Sequence, residues 1–404
     1  MSIYKSPMQW INFHQSINQR LSGEQPDGEQ IKVRNYDIEA HSLARGVAGS
    51  GKSLALINRV EKIISEKKYK SILVLCYNRF MQNWLNSKLK EKGLNVECKT
   101  FHKWSYKEIG YNYKYDDDPD LRKRVIDQAK NSRLKYQAIL VDEAQDFYDE
   151  WFQALLEVLD TQTNSLFFVY DNTQSVYGQQ HRRKSDWSWQ KLGINVVGRS
   201  QVFALNYRNS PEILELAWKF IQPAIEKAGM KVGSEIGSII EPKKKESRSS
   251  GISPTISQIN YKEMPVEIAK QVKMALSTCP NSSIGILTHP GVQGNLRVKI
   301  SNELHKLNVK HDAPKNPQER KRNVVDRPYV IVDSWNALKG VEFDAVIIAG
   351  VDLADDFEEK AGLYVAMTRS REHLIILYDY KNSVAKIIEE CLKSPDQLSF
   401  EPES

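Results

Sequence analysis

Gly46-Val-Ala-Gly-Ser-Gly-Lys-Ser53 is the stretch of this 404-residue chain that decides its fold. Gly46, Gly49 and Gly51 let the backbone turn so that consecutive N–H groups, through Ser50, point inward at phosphate oxygens. Lys52 then reaches the β- and γ-phosphates, and the Ser53 hydroxyl holds Mg²⁺. The flanks fit. An apolar stretch, His41-Ser-Leu-Ala-Arg45, precedes the loop, and a helical pattern from Leu54 to Ile64 follows it. That helix would place its positive end beneath the phosphates.

Outward from the loop, short Ile/Val/Leu runs alternate with longer helical patterns. Buried strands are expected at Ser71–Cys76, Gln137–Val141, Ser165–Tyr170, Ile284–Leu287, Tyr329–Val332, Ala345–Ala349 and Leu374–Leu377. Such alternation signals parallel sheets covered by helices, an α/β fold. The runs form two groups, so two lobes are expected, residues 1–200 and 201–404. Glu241–Gly251 is charged and poor in apolar residues, which gives a surface loop near 241–257, and 312–327 reads as a second one. The acidic run Asp116–Asp120 reads as a solvated loop, and Ser394–Ser404 as a loose tail.

Composition narrows the class. The four cysteines are scattered with no Cys-x-x-Cys pair, so neither a zinc site nor a disulfide framework is indicated. No apolar run is long enough to span a bilayer, and the first residues lack the apolar core of a signal peptide. A cytoplasmic protein is expected. The net charge of +6 is compatible with nucleic acid without establishing it.

After the strand ending at Val141 comes Asp142-Glu-Ala-Gln-Asp146. Two acids at the carboxyl end of a buried parallel strand suit a metal–nucleotide site. Asp142 would orient Mg²⁺, and Glu143 would act as general base on the attacking water.

A phosphate loop ending Gly-Ser-Gly-Lys-Ser with a later Asp-Glu-Ala-Gln-Asp resembles the superfamily 1 DNA helicases of the UvrD/Rep/PcrA type. Further motifs follow in that family's order over most of the chain. The resemblance implies two RecA-like lobes with ATP and Mg²⁺ between them. Lys99-Thr-Phe-His-Lys-Trp104 is similar to a motif lying against single-stranded DNA, with Thr100 and His102 toward phosphates. Leu75-Cys-Tyr-Asn-Arg79 is similar to another, placing Tyr77 and Asn78 on the strand. Tyr170-Asp-Asn-Thr-Gln-Ser-Val-Tyr-Gly178 supplies Gln174, matching a γ-phosphate sensor, and Tyr177, matching a DNA contact. Leu205-Asn-Tyr-Arg208 supplies Tyr207, matching a residue that stacks on adenine, and Arg208, matching one that reaches the γ-phosphate.

Ser334-Trp-Asn-Ala-Leu-Lys-Gly-Val-Glu-Phe-Asp344 resembles the family's Thr-x-His-x-x-Lys-Gly-Leu-Glu-Phe motif. Glu342 matches the acid near the ribose, while Ser334 and Asn336 fall where Thr and His meet DNA. Asn in place of His keeps hydrogen bonding but loses the imidazole. Tyr364-Val-Ala-Met-Thr-Arg-Ser-Arg371 resembles the last motif, with Arg369 matching its arginine finger. An adenine-reading glutamine upstream of the loop would be Gln30, with Gln25 as the alternative.

The resemblance implies an ATP-dependent translocase on single-stranded DNA, running 3′→5′. The spacing from His102 to Asp142 is short, so the inserts of larger members look reduced, and a nuclease or other partner, as in DNA repair or antiphage defence, would supply missing duplex-handling surfaces. A nucleotide-gated regulatory subunit and an RNA-directed helicase are the alternatives.

Overall fold

The computed structural model of the chain describes residues 28–67, 69–171, 187–233, 238–291, 295–314, 329–338, 340–353 and 357–400. They fall into two compact units. One holds the described residues of Gln25–Ala204 and Val232–Ile240; the other holds those of Leu205–Lys231 and Glu241–Ser404.

In the first unit the order is α1 Gly28–Asn35, β1 His41–Gly46, α2 Lys52–Lys62, β2 Ile72–Cys76, α3 Arg79–Glu91, β3 Cys98–Thr100, α4 Phe101–Ile109, α5 Pro119–Arg122, α6 Arg124–Ser132, β4 Ala138–Val141, α7 Asp149–Val158, β5 Ser165–Tyr170 and β6 Ser200–Phe203. The six strands form one sheet in the order β3-β2-β4-β5-β1-β6, and every pairing is parallel. Alternate residues serve opposite faces. Leu73, Leu75, Ile139, Val141, Leu166 and Phe168 enter one core, and Val74, Cys76, Ala138, Leu140, Phe167 and Val169 enter the other. Burial on both faces is why these strands read as continuous apolar runs.

In the second unit the order is α8 Pro211–Lys227, β7 Thr255–Gln258, α9 Met264–Thr278, β8 Ser283–Thr288, α10 Asn295–Lys306, β9 Tyr329–Ser334, β10 Phe343–Ala349, α11 Phe357–Met367, β11 Ser370–Tyr378 and α12 Ser383–Cys391. Its sheet runs β7-β11-β10-β8-β9, again all parallel. The protein is thus α/β, with two parallel sheets flanked by helices.

Each apolar run expected as a strand lies in one. β1, read only as an apolar flank of the loop, is a central strand, while β3, β6 and β7 have no such run and stand at sheet edges. An edge strand pairs on one side only and can be short and polar.

Three local expectations need correcting. The segment read as a surface loop near 241–257 buries Lys244 and Arg248 and ends in β7. These two buried charges are matched internally: Lys244 Nζ lies 3.0 Å from both Glu215 and Asp396, and Arg248 Nη2 lies 3.1 Å from Glu372. Part of the expected loose tail is tied down, because Lys219 donates to the Ser394 carbonyl (2.8 Å), the Lys244 N–H donates to the Ser399 carbonyl (2.8 Å) and Glu215 accepts the Leu398 N–H (3.1 Å). Asp116 is buried rather than solvated, since four polar neighbours satisfy it. Of the loop read at 312–327, residues from 315 on lie outside the described residues.

Candidate functional site

In the first unit the parallel register brings the ends of β1, β2, β3, β4 and β5 to one edge of the sheet, where ligands of open α/β sheets bind. The loop after β1 turns through Gly49 and Gly51, at φ 73° and 83°. At Gly46 the constraint is space, because a Cβ there would lie 2.6 Å from the Phe203 carbonyl oxygen and from Ser50 Oγ. Helix α2 starts at Lys52 without a side-chain cap, which leaves its first-turn N–H groups to an anion in the loop.

The Lys52 ammonium is buried and donates to the carbonyls of Gly46 (2.8 Å) and Val47 (2.7 Å), with Asp171 at 3.5 Å. The Ser53 hydroxyl donates to Asp142 Oδ2 at 2.8 Å. Burial, and then the adjacent Glu143 charge, push the Asp142 carboxyl up to about 7 despite the Ser53 hydroxyl, the Glu143 N–H and Lys52. A divalent cation would relieve that crowding of acids, and hard oxygen donors on Ser53 and Asp142 fit Mg²⁺.

Glu143 sits in the left-handed backbone region at φ 52°, sparsely populated for a side-chain-bearing residue and often found where function constrains the chain. The Gln145 amide donates to the Glu143 carboxylate, and its carbonyl accepts the Asp171 N–H at 3.1 Å. Gln30, on α1, donates to the Ser50 carbonyl at 3.2 Å, so it lies against the phosphate loop.

In the second unit Glu342 pairs with Arg208 and with Arg371, whose Nη2 is 2.5 Å away. Burial opposes charge on Glu342, but Arg208 and Arg371, with Arg369 behind them, hold it far below the usual carboxylate range. Arg208 Nε and Nη1 are buried and have no hydrogen-bond partner among the described residues, two donors suited to an anion's oxygens. Arg369 is fully buried, and its Nε donates to the Val365 carbonyl at 3.0 Å. Tyr207 is partly buried beneath the Lys245 ammonium, 4.6 Å from its ring centre. Ser334 is partly exposed at the end of β9, Asn336 is exposed, and Trp335 between them is buried.

The ends of β2 and β3 carry the expected nucleic-acid residues. Tyr77 is 40% exposed, and its ring centre lies 6.3 Å from that of His102. His102 shares a hydrogen bond with Asp116 at 2.9 Å and packs edge-on against Trp151. Asn78 and Thr100 act as N-caps: Asn78 accepts the Met81 N–H (2.8 Å) and Thr100 the Lys103 N–H (3.2 Å). Phe101 is buried, stacked on Trp151 at 4.0 Å.

Residues 32–180 match the family model of an AAA domain, and residues 329–377 that of a UvrD-like helicase C-terminal domain. Over residues 329–377 the chain is similar to UvrD-like helicases. Among curated proteins, none matches it. A solved structure, the C-terminal domain of a possible DNA helicase from Lactobacillus plantarum WCFS1, matches 46% of this chain and 96% of its own at 13% identity, with a TM-score of 0.31. No helix among the described residues is long and apolar enough to cross a membrane.

The structure gathers Lys52, Ser53, Asp142 and Glu143 at one sheet edge and Arg208 with Glu342 in the other unit. Gln174 and Tyr177 lie outside the described residues, as does Gln25. Sequence reading missed Gln145, Asp171, Arg371 and Asp116. Gln145, Asp171 and Arg371 stood inside quoted motifs without a role, and Asp116 inside an acidic run. All four gain theirs from their neighbours in space.

Proposed function

We propose that this chain is an ATP-dependent translocase on single-stranded DNA, a helicase motor running 3′→5′. The observation that carries it is the contact of Ser53 with Asp142, beside a Glu143 that Gln145 holds in place. A protein that merely binds nucleotide has no need of a positioned general base.

In this reading Lys52 leaves the Gly46 and Val47 carbonyls for the β- and γ-phosphates, and Glu143 accepts a proton from the attacking water. Mg²⁺ on Ser53 and Asp142 would neutralise phosphate charge. Arg208 and Arg369 stabilise charge on the transferring phosphoryl group, with Gln174 as the γ-phosphate sensor, while Gln30 and Tyr207 hold the adenine and Glu342 the ribose. Tyr77 stacks on bases, sequence-tolerantly, with Asn78, Thr100, His102, Tyr177, Ser334 and Asn336 along the strand. Between His102 and Asp142 the described elements are the rest of α4, then α5, α6 and β4, so duplex opening would draw on a partner, a nuclease among the candidates, as in repair or antiphage defence.

The test is steady-state ATP hydrolysis with and without single-stranded DNA, with Lys52→Ala as blank. Strong stimulation, lost in Lys52→Ala, is expected. Hydrolysis indifferent to DNA would sink the motor reading, and stimulation by RNA alone would redirect it.

A further inference from the structure

The Tyr207–Arg208 turn is held by more than its own motif. Asn206 Oδ1 accepts the N–H groups of Arg208 (3.0 Å) and Asn209 (2.8 Å). Asn209 Nδ2 donates to the carbonyls of Thr368 (3.0 Å) and Ser370 (2.5 Å), on either side of Arg369. A third clamp comes from the segment that read as a surface loop. Arg248 Nε donates to the Tyr207 carbonyl at 2.9 Å, and its Nη2 donates to the Arg208 carbonyl at 2.8 Å and to Glu372 Oε1 at 3.1 Å. Arg248 and Glu372 are both buried. The Ser250 hydroxyl donates to the Glu372 carbonyl at 3.2 Å, which ties this segment to β11 a second time.

One planar guanidinium therefore joins two successive turn carbonyls to a fixed carboxylate. Lysine carries the charge but has no fork with which to span these acceptors.

We propose that Arg248 is a positioning residue for nucleotide: it locks the main chain of Tyr207 and Arg208 onto β11 and so sets the angle at which that ring and guanidinium are presented. The inference rests on the reading above that both residues face ATP.

The test uses the full chain with Arg248→Lys and Arg248→Met, read by equilibrium binding of a fluorescent (mant) ATP analogue and by ATPase kcat and KM. Arg248→Lys keeps a cation beside Glu372, so it is the variant expected to stay folded. In Arg248→Lys the analogue's Kd is expected to rise roughly ten-fold and kcat at saturating ATP to fall, because small misplacements of a positioned group are costly. Arg248→Met should shift both further. Kd and KM do not depend on how much of the enzyme is folded, so a merely structural role would lower the rate per mole and leave both unmoved. Unchanged Kd and KM in Arg248→Lys would overturn the proposal. A wild type that fails to bind the analogue, or binds it no better than Lys52→Ala, would instead overturn the nucleotide reading on which it stands.

Discussion

At the scale of single residues, the first unit's site depends on a side chain that no motif reading singled out. Gln145 is buried, and it grips the Glu143 carboxylate while accepting the Asp171 N–H. Without it Glu143, already in the left-handed region, has lost one of its restraints. Gln145→Leu is expected to lower the ATPase kcat by about 10- to 100-fold, the usual penalty for removing an outer-shell orienter, with little change in KM for ATP. Equal kcat in the variant would show that Gln145 does not orient the base. Asp116 makes the same point elsewhere. Its aspartate-rich surroundings read as a solvated loop, yet it accepts from Tyr111 (2.8 Å) and Trp151 (3.2 Å) and engages His102. Burial of one acid within an acidic run is set by what folds over it.

At the scale of elements, the phosphate loop is squeezed between β1 and β6. Gly46 pairs with Phe203 at the sheet edge, and an added Cβ would lie 2.6 Å from both the Phe203 Cβ and its carbonyl oxygen. Backbone cannot give way as a flexible side chain does. Gly46→Ala is expected to cost about 1–3 kcal/mol in denaturant unfolding and to weaken mant-ATP binding. Unaltered binding with unaltered stability would mean that β6 moves freely. The same edge shows where element reading stops. β6, Ser200-Gln-Val-Phe203, lacks the apolar signature of the central strands because it has a neighbour on one side only.

At the scale of the whole molecule, buried histidines link stability to pH. Burial pushes His373 down to about 4. His41 is lowered as well, first by burial, and its Nδ1 accepts the Asn195 N–H (3.2 Å). Below pH 6.5 the unfolded chain takes up a proton at each of these positions that the folded chain resists, at His373 down to about pH 4, so their contribution falls as pH falls. Asp142 has the opposite sign: its raised carboxyl favours the folded state more at low pH than at high. The histidine contribution is therefore best isolated by difference. His373→Leu is expected to shed about 2 kcal/mol of the stability lost between pH 7 and pH 5. Denaturant midpoints of wild type and variant at both pH values check it, and parallel pH slopes would refute it.

The α/β class, most of the central strands, the phosphate loop and the acids after β4 are legible in the chain alone. Those features depend on local spacing, and their chemistry demands particular residue types in a fixed order. The tertiary structure alone decided which charges are buried. Lys244, Arg248 and Asp116 look like solvent-facing residues in the chain, and become interior ones because partners distant in sequence, Glu215, Glu372 and Trp151, satisfy them. A charge is tolerated inside a protein only where such partners converge, and that convergence is a property of the packed fold.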